Sequence, residues 1–399
     1  MQRHAGVRTL HSALAAIQPP ACVALYGPWG SGKTTMLRAL QHVCRGSALP
    51  SVWFDPWQYE RSGDVLLPLL RAIGREEGSP ADGERRRLLE GALRTALSLS
   101  ARLGLSAAAY FALGPTAAAL PLAAIKPEDF KDSFSPASAA AEDPTEKLKT
   151  EFRALVEACL APFPATARLV VILDDLDRCL PDTVVSLIEA VKLFLCGAAD
   201  CRAVFVFAMD RSIVGEAIRN RYPGATSYTG DHYLEKIFTA SFEVPRLGGT
   251  ELGELIKSLQ SQRPPLQMPF DASTLQHVLA QPVFANARTV RRTLNKVLLL
   301  AQTNCASRVP QAEHPQFIAF LAGAERFRDF REFLRSASQE EFAKAVGALP
   351  SHAIELSKIA SRLTQTPGFA VYMSLLGVAG YEAVPKLLGY DDILRSVAL

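Results

Sequence analysis

Several common functional signals are absent from this sequence of 399 residues. The seven cysteines form no Cys-x-x-Cys pair, and no two of the seven histidines stand four residues apart, which argues against a structural zinc site. Scattered cysteines of this kind are typical of buried, reduced thiols in a cytosolic protein. The first residues also lack the apolar core and cleavage site of a secretory leader. We therefore expect a cytoplasmic protein.

An excess of charge of one sign is absent as well. The chain has 43 basic and 40 acidic residues, and its formal net charge of +3 is too small to indicate nucleic acid as a partner. With 49% hydrophobic and 21% charged residues, it is neither a disordered chain nor a collagen or coiled-coil rod. The length fits two or three globular domains, and we detect no internal repeat.

What the sequence does contain is a series of short, almost uninterrupted apolar runs, at 21–26, 51–54, 169–173 and 203–209. Such runs are typical of strands that are buried on both faces of a parallel sheet. Helical patterns separate the runs, so we expect right-handed β-α-β units and an α/β fold with a mostly parallel sheet. Beyond Pro245 the pattern is helical throughout, with a capping box at Ser338-x-x-Glu341.

The segment after the first apolar run matches the phosphate-binding pattern G-x-x-x-x-G-K-[ST] at every fixed position. Its place between a buried strand and a helix is the one this loop requires, because backbone N–H groups and a helix N-terminus then face an anion. We expect Lys33 to reach the β- and γ-phosphates and the Thr34 hydroxyl to bind Mg²⁺. We assign ATP binding to Gly27, Pro28, Trp29, Gly30, Ser31, Gly32, Lys33, Thr34 and Thr35.

Two carboxylates, Asp174 and Asp175, follow the third apolar run. The carboxyl end of a neighbouring parallel strand is where such sheets hold their ligand. We assign Asp174 to Mg²⁺, mostly through bound water, and Asp175 to activation of the water that attacks the γ-phosphate. Asp177 is the fallback for this catalytic role. Capping of the next helix is the alternative role for Asp175.

Three further motifs occur in order, and they begin at Trp53, Asp174 and Phe205. They read Trp-Phe-Asp-Pro-Trp-Gln-Tyr-Glu, Asp-Asp-Leu-Asp-Arg-Cys and Phe-Val-Phe-Ala-Met-Asp-Arg, and Tyr-Leu-Glu-Lys-Ile follows them. Together with the Gly-Pro-Trp-Gly form of the phosphate loop, they make residues 5–300 resemble the KAP family of P-loop NTPases. The usual family pattern W-F-N-A-W is altered here by Asp55 and the proline after it. This extra carboxylate would either repel phosphate or help to coordinate Mg²⁺.

The resemblance implies a strand order and further residue roles. KAP proteins belong to the P-loop ATPase branch that has an additional strand between the strand of the phosphate loop and the strand of the magnesium carboxylate. The aspartate after that strand, here Asp210, would sense the γ-phosphate, with capping of the following helix as its alternative role. The segment 286–295 looks like the family's lid helix. Its arginine, Arg288 or else Arg291 or Arg292, would reach the phosphates, and a basic helix face in water is the alternative.

The residue pattern and the resemblance together suggest how the chain is divided. We expect a P-loop core at 1–77 and 144–245, an apolar helical insert and linker at 78–143, a helical lid at 246–300 and a helical C-terminal region at 301–399. ATPases of this branch often take an arginine from a neighbouring subunit. Arg178 and Arg211 are the candidates, and an internal ion pair is the alternative for each. Trp53, Trp57 and Tyr59 could stack a nucleotide base, although packing between sheet and helices is the favoured role.

The insert contains an uncharged run from Leu103 to Ile125, long enough to cross a bilayer of about 30 Å. Thr34 and Asp174 must share one Mg²⁺ ion, so the number of crossings between them must be even, and two spans would need about 40 apolar residues. A hairpin in one leaflet or a surface contact through 96–125 would place the protein at the inner face of the cell membrane. A docking patch for protein, or packing within the protein itself, is the third alternative, which we favour because prolines interrupt the run.

Three functions are compatible with these residues. The one we favour is an ATP-hydrolysing switch or assembly protein that acts with a protein partner or with copies of itself; the resemblance suggests a bacterial protein with a role in defence. The second is a scaffold that binds ATP with little turnover, because many hydrolysing relatives have glutamate where Asp175 stands. The third is a nucleic-acid-associated ATPase, indicated by basic clusters at 85–87 and 288–296 and disfavoured by the near-neutral charge.

Overall fold

The computed structural model describes residues 2–47, 49–62, 65–74, 83, 87–88, 90–92, 95, 144–198, 200–221, 230–261, 268–303, 305–349 and 354–397. The chain divides into two compact units, His4–Val244 and Pro245–Leu399. Most of the expected insert at 78–143, including the apolar run Leu103–Ile125, lies outside the described residues. Within the part of the chain that the structure does describe, no helix has the length and apolar character needed to cross a membrane.

The first unit is built on a sheet of five parallel strands. These are β1 (Ala21–Tyr26), β2 (Ser51–Phe54), β3 (Leu169–Leu173), β4 (Ala203–Met209) and β5 (Ala240–Glu243), in the order β2-β3-β4-β1-β5. The first four strands occupy the predicted apolar runs. The fifth was not predicted from the sequence, because it is a short edge strand whose residues alternate between half-buried and exposed and therefore lack an apolar run.

Strand β4 lies between β1 and β3 and pairs with both. Our expectation from the residues alone, that Asp174 follows a strand next to the one before the phosphate loop, was therefore wrong. The arrangement implied by the family resemblance, with an additional strand between the two, is confirmed. These three strands nevertheless end at the same edge of the sheet, because parallel strands share one direction.

Helices cover both faces of the sheet. They are α1 (Gln2–Ala16), α2 (Lys33–Cys44), α3 (Leu66–Gly74), α4 (Pro144–Leu160), α5 (Pro181–Ala190), α6 (Arg211–Arg221) and α7 (Gly230–Ile237). Shorter helical turns lie at Pro56–Ser62, Leu176–Arg178 and Val191–Leu195. Successive strand residues point to opposite faces, so Val23 and Leu25 of β1 belong to a core with α1 and α2, whereas Cys22 and Ala24 belong to a core with α3 to α7. Burial on both faces explains the apolar runs.

The second unit is helical in the residues described. Its helices are α8 (Gly249–Gln260), α9 (Ala272–Leu279), α10 (Ala287–Gln302), α11 (His314–Arg326), α12 (Phe330–Ser336), α13 (Gln339–Ala345), α14 (Lys358–Gln365), α15 (Phe369–Leu375) and α16 (Val384–Ser396). They surround a separate core that is rich in aromatic rings, such as the stacked pair Phe327 and Tyr372 with ring centroids 4.5 Å apart. Ser338 caps α13 as predicted, by accepting the Glu341 N–H at 3.1 Å.

The seven cysteines are all free thiols; Cys196 is half-buried and the others are buried. Burial raises the pKa of Cys44 to about 11 and the pKa of Cys201 to about 12. Thiols that stay protonated at neutral pH are poor nucleophiles. Cys44 and Cys201 therefore have the character of the buried thiols that the sequence predicts.

Candidate nucleotide-binding site

The phosphate loop connects the end of β1 to the start of α2. Gly30 and Gly32 adopt φ angles of 84° and 101°, in the left-handed region that favours glycine. The loop is held against the neighbouring strand by the Gly27 N–H, which donates to the Met209 carbonyl at 3.2 Å. No side chain caps α2, whose N-cap residue is Gly32. The first amides of this helix are thus left without a side-chain acceptor, as an anion-binding helix start requires.

Lys33 is buried at the start of α2 and contacts two oxygen atoms. Its Nζ lies 2.5 Å from Asp177 Oδ2 and donates to the Gly27 carbonyl at 2.8 Å. Asp177, the fallback residue for the catalytic role, comes from the helical turn after β3. The ion pair joins the phosphate loop to the end of β3. The sequence places Lys33 at the phosphates, but it carries no signal that an aspartate of this motif would hold the ammonium group.

Asp174 follows β3 directly, and its N–H donates to the Phe54 carbonyl of β2 at 3.1 Å. The residue is only 2% exposed, and among the described residues neither carboxylate oxygen has a hydrogen-bond partner of normal length and angle. Burial raises the pKa of Asp174; the nearby Thr34 hydroxyl, the Asp175 N–H and Lys33 partly oppose this rise. A buried carboxylate beside a hydroxyl provides the hard oxygen ligands that Mg²⁺ prefers, so the two residues fit this ion.

Asp175 adopts a φ angle of 57°, which is unusual for a residue other than glycine. Its carboxylate makes no capping hydrogen bond to the helical turn Leu176–Arg178 and instead lies 3.2 Å from Arg178 Nε. Burial raises the pKa of Asp175, with Arg178 and Lys33 opposing the rise and Asp55 and Asp177 adding to it. A carboxylate with a raised pKa is a better proton acceptor at neutral pH than an ordinary one.

Asp210 follows β4 at the same edge of the sheet. Its carboxylate accepts the Ser212 N–H at 3.0 Å and the Ser212 hydroxyl at 2.6 Å, so it caps the start of α6. Its own N–H donates to Asp177 Oδ1 at 2.5 Å. The alternative role for Asp210, helix capping, is therefore present in the structure. Sensing of the γ-phosphate is compatible with the location at the sheet edge and stays a proposal.

Most aromatic residues near the site are engaged in packing. The Arg38 guanidinium lies 3.5 Å from the Trp53 ring centroid, and Tyr59 stacks on Phe54 with centroids 5.4 Å apart. Trp29 of the phosphate loop and Trp57 are more open, at 60% and 47% exposed. Packing is thus the observed role of Trp53 and Tyr59, whereas the rings of Trp29 and Trp57 are open to solvent.

The acidic residue that departs from the usual family pattern, Asp55, organises its own loop. Its carboxylate accepts the Trp57 N–H at 3.1 Å and the Gln58 side-chain amide at 3.0 Å. It lies close enough to Asp175 to raise the pKa of that carboxyl group. The extra carboxylate therefore adds negative charge to the edge of the sheet where the phosphate loop begins.

The candidate arginines occupy different places. Arg178 pairs with Asp175, and Arg211 pairs with Asp231 at 2.7 Å and lies over the Tyr26 ring. These internal ion pairs correspond to the alternative that the sequence left open. The lid candidates Arg288, Arg291 and Arg292 lie in the first turns of α10, in the second unit. Asn286 caps that helix by accepting the Arg288 N–H at 2.9 Å.

The loop between β1 and α2, the carboxylate after β3 and the strand inserted between them define a P-loop NTPase with an additional strand. The model of the KAP family P-loop domain matches residues 7–304. This chain belongs to the KAP family of P-loop NTPases. No curated protein matches the sequence.

Several solved structures show a distant likeness to this chain. The Aeropyrum pernix ORC2 protein in its ADPNP–ADP complexes is 11% identical to this chain, with a TM-score of 0.39. The match covers 99% of this chain and 93% of the ORC2 chain. The Walker-type ATPase of Pyrococcus abyssi is 11% identical over 97% of this chain and 95% of its own, with a TM-score of 0.41. Cdc6p from Pyrobaculum aerophilum is 13% identical over 99% of this chain and 85% of its own, with a TM-score of 0.41.

Proposed function

We propose that this protein is a magnesium-dependent ATPase that works as a nucleotide-driven switch or assembly protein. The observation that carries the proposal is the buried Asp174 carboxylate, which lies beside Thr34 and Lys33 and has, among the described residues, no hydrogen-bond partner of normal length and angle. An unpartnered buried carboxylate is costly to keep. A site that binds a metal–phosphate complex gives such a group its partner.

In this proposal each residue has one role. The backbone N–H groups of the phosphate loop and the ammonium group of Lys33 bind the phosphates, and Thr34 and Asp174 would hold Mg²⁺, which would neutralise the phosphate charge and orient the γ-phosphate. Asp175 accepts a proton from the attacking water. Asp210 responds to the γ-phosphate through its position before α6, and Arg288 is the lid arginine. ATP is the substrate, and the partner is a second protein or further copies of this chain.

The test is phosphate release by the purified full-length protein, measured with ATP and Mg²⁺. We expect turnover in the wild type and loss of it, by at least about tenfold, in Lys33→Ala, because that ammonium group stabilises charge on the transferred phosphoryl group. Arg45→Ala is the matched control, since it removes one exposed positive charge at the other end of α2. Equal phosphate release by the wild type and Lys33→Ala would refute the proposed ATPase activity.

A second function, a scaffold that binds ATP with little turnover, is favoured by one observation. Asp175 is an aspartate whose carboxylate is already paired with Arg178 at 3.2 Å, and this ion pair opposes the rise in pKa that burial causes. Nucleotide binding that depends on Lys33 without measurable phosphate release would support the scaffold. Bacterial defence as the setting, and membrane contact through 96–125, are suggested by the resemblance and the composition, and no described residue adds to them.

A further inference from the structure

Among the described residues of the first unit, Lys33 and Asp177 form the most enclosed ion pair. Their side chains are 8% and 6% exposed, and Nζ and Oδ2 are 2.5 Å apart. The other carboxylate oxygen, Oδ1, accepts the Asp210 N–H at 2.5 Å. Both oxygens of Asp177 therefore have donors, and the ammonium group that should bind phosphate is held by a carboxylate of the protein itself.

This contact sets a competition. The side chain of Lys33 has one ammonium group, with three donors, and the Gly27 carbonyl and Asp177 take two of them at short distances. A phosphate oxygen that approaches Lys33 also approaches the negatively charged carboxylate of Asp177, which repels the phosphate. Breaking a buried ion pair on one side is costly unless a new partner replaces the lost one. Only an incoming anion provides that replacement for Lys33.

We propose that Asp177 is a resting counter-ion that competes with the nucleotide phosphates for Lys33 and thereby sets the nucleotide affinity. The proposal rests on the proposed function, because it concerns the same phosphate site. When phosphate takes Lys33, Asp177 loses its cation but keeps the Asp210 N–H as a donor. The change is thus transmitted to the residue that caps α6, which makes Asp177 a positioning residue rather than a catalytic one. The apparent affinity is lowered by the fraction of molecules in which Lys33 is paired.

The experiment measures ADP binding by the full-length chain in excess EDTA. Omitting the metal separates this role from magnesium binding, since the loss of a magnesium ligand can weaken ADP binding only when the ion is present. In Asp177→Asn the oxygen can still accept the Asp210 N–H, whereas the amide NH₂ repels the ammonium group. We expect Asp177→Asn to bind ADP about tenfold more tightly than the wild type, which corresponds to about 1.4 kcal/mol.

The matched control is Asp55→Asn. It removes one negative charge at the same sheet edge and retains an oxygen for the Trp57 N–H, and the Asp55 carboxylate is engaged by its own loop. A general effect of charge would tighten ADP binding equally in both variants, and that result would overturn the proposal. An unchanged or weaker affinity in Asp177→Asn would overturn it as well.

A double-mutant cycle on the nucleotide-free protein tests the ion pair without any ligand. Lys33→Ala and Asp177→Asn should each lower the urea midpoint of unfolding. In the double variant the midpoint should fall by less than the sum of the two single decreases, because the second change removes a charge that the first left unpaired. Additive effects would overturn the proposal.

If the wild type binds ADP through Lys33 but Asp177→Asn does not bind more tightly, the inference fails and the proposed function stands. If neither protein binds nucleotide, both fail.

Discussion

Burial of the Asp174 carboxylate lowers the stability of the fold, and the same carboxylate is proposed to hold Mg²⁺. Its carboxylate is 2% exposed, and burial raises its pKa. We predict that Asp174→Asn increases the free energy of unfolding of the nucleotide-free protein by about 1 kcal/mol, because a neutral amide is less costly to bury than an unpartnered charge. The same variant should lose the gain in nucleotide affinity that Mg²⁺ provides, by about tenfold or more. Urea unfolding and nucleotide titrations with and without Mg²⁺ measure the two effects.

The pH dependence of the free energy of unfolding is an independent test of the cost of burying the Asp174 charge. The pKa of Asp174 is raised above its ordinary value of 3.8, so the folded protein holds this proton more tightly than the unfolded chain does. From pH 3.8 up to the raised pKa, stability should therefore fall as pH rises, and Asp174→Asn should remove that slope. A variant that is less stable than the wild type at neutral pH would contradict the prediction.

Gly32 provides a second test at the scale of one residue. Its φ angle of 101° lies in the left-handed region, where a Cβ atom costs about 1–2 kcal/mol. We predict that Gly32→Ala lowers stability by about this amount and weakens nucleotide binding, because the amides at the start of α2 turn away from the phosphate. Gly46→Ala is the control, since a Cβ atom there would come no closer than 4.0 Å to the Val43 carbonyl oxygen. Equal effects in both variants would show that the conformation of Gly32 is unimportant.

The place of the phosphate loop between β1 and α2 could be predicted, because glycines, a lysine and a threonine at fixed spacing form a pattern with a specific chemistry. The partner of Lys33 could not. Asp175 adopts a left-handed conformation, with the turn Leu176–Arg178 directly after it, and Asp177 in this turn meets the lysine. A sequence of three nearby aspartates does not reveal which carboxylate points inward, since that choice depends on backbone geometry.

At the scale of secondary-structure elements, α10 depends on its cap. Asn286 accepts the backbone N–H groups of Arg288 at 2.9 Å and Thr289 at 3.5 Å, and this satisfies donors that the helix itself cannot. We predict that Asn286→Ala destabilises the second unit by about 1 kcal/mol. Asn286→Asp keeps the oxygen acceptor and should stay within a few tenths of a kcal/mol of the wild type. Urea unfolding followed by far-UV circular dichroism measures both, and equal losses would contradict capping.

The same scale shows why elements differ in how well a sequence predicts them. Strands β1, β3 and β4 are buried along their whole length, so their apolar runs are continuous. Of the strands that the structure describes, β1 alone pairs with β5, and the alternating exposure of β5 leaves four residues without a distinct pattern. The capping box at Ser338 was half right, because the Glu341 carboxylate accepts the Ser357 N–H at 2.8 Å rather than completing the box.

At the scale of the whole molecule, each unit has cores of its own. Among the described residues, the two cores that cover the sheet contain none after Val244, and the aromatic core of the second unit contains none before Leu247. Charge is buried in the second unit too, where the Asp391 carboxylate pairs with Arg331, Arg335 and Arg395. Units with separate cores can in principle fold separately.

This division leads to a prediction that separates nucleotide binding from turnover. A fragment that ends at residue 246 retains the five strands, the phosphate loop and Asp174 and lacks α10. We predict that it folds and binds ADP within a few-fold of the full chain, because ADP lacks the transferring phosphate that Arg288 is proposed to contact, and the other proposed phosphate contacts all lie before Val244. Its phosphate release should fall by about tenfold or more, since an arginine that neutralises transferring phosphate contributes at least this much.

Arg288→Ala in the full chain is the matched comparison for this fragment. It should show the same loss of phosphate release with unchanged stability of the first unit, whereas Lys296→Ala, which removes a positive charge later in α10, should release phosphate at the wild-type rate. Circular dichroism of the fragment, ADP titration and phosphate release are measured on one preparation. A fragment without folded structure would contradict the independence of the first unit. A folded fragment with full turnover would contradict the lid role, because catalysis would then need no residue beyond the sheet and its loops.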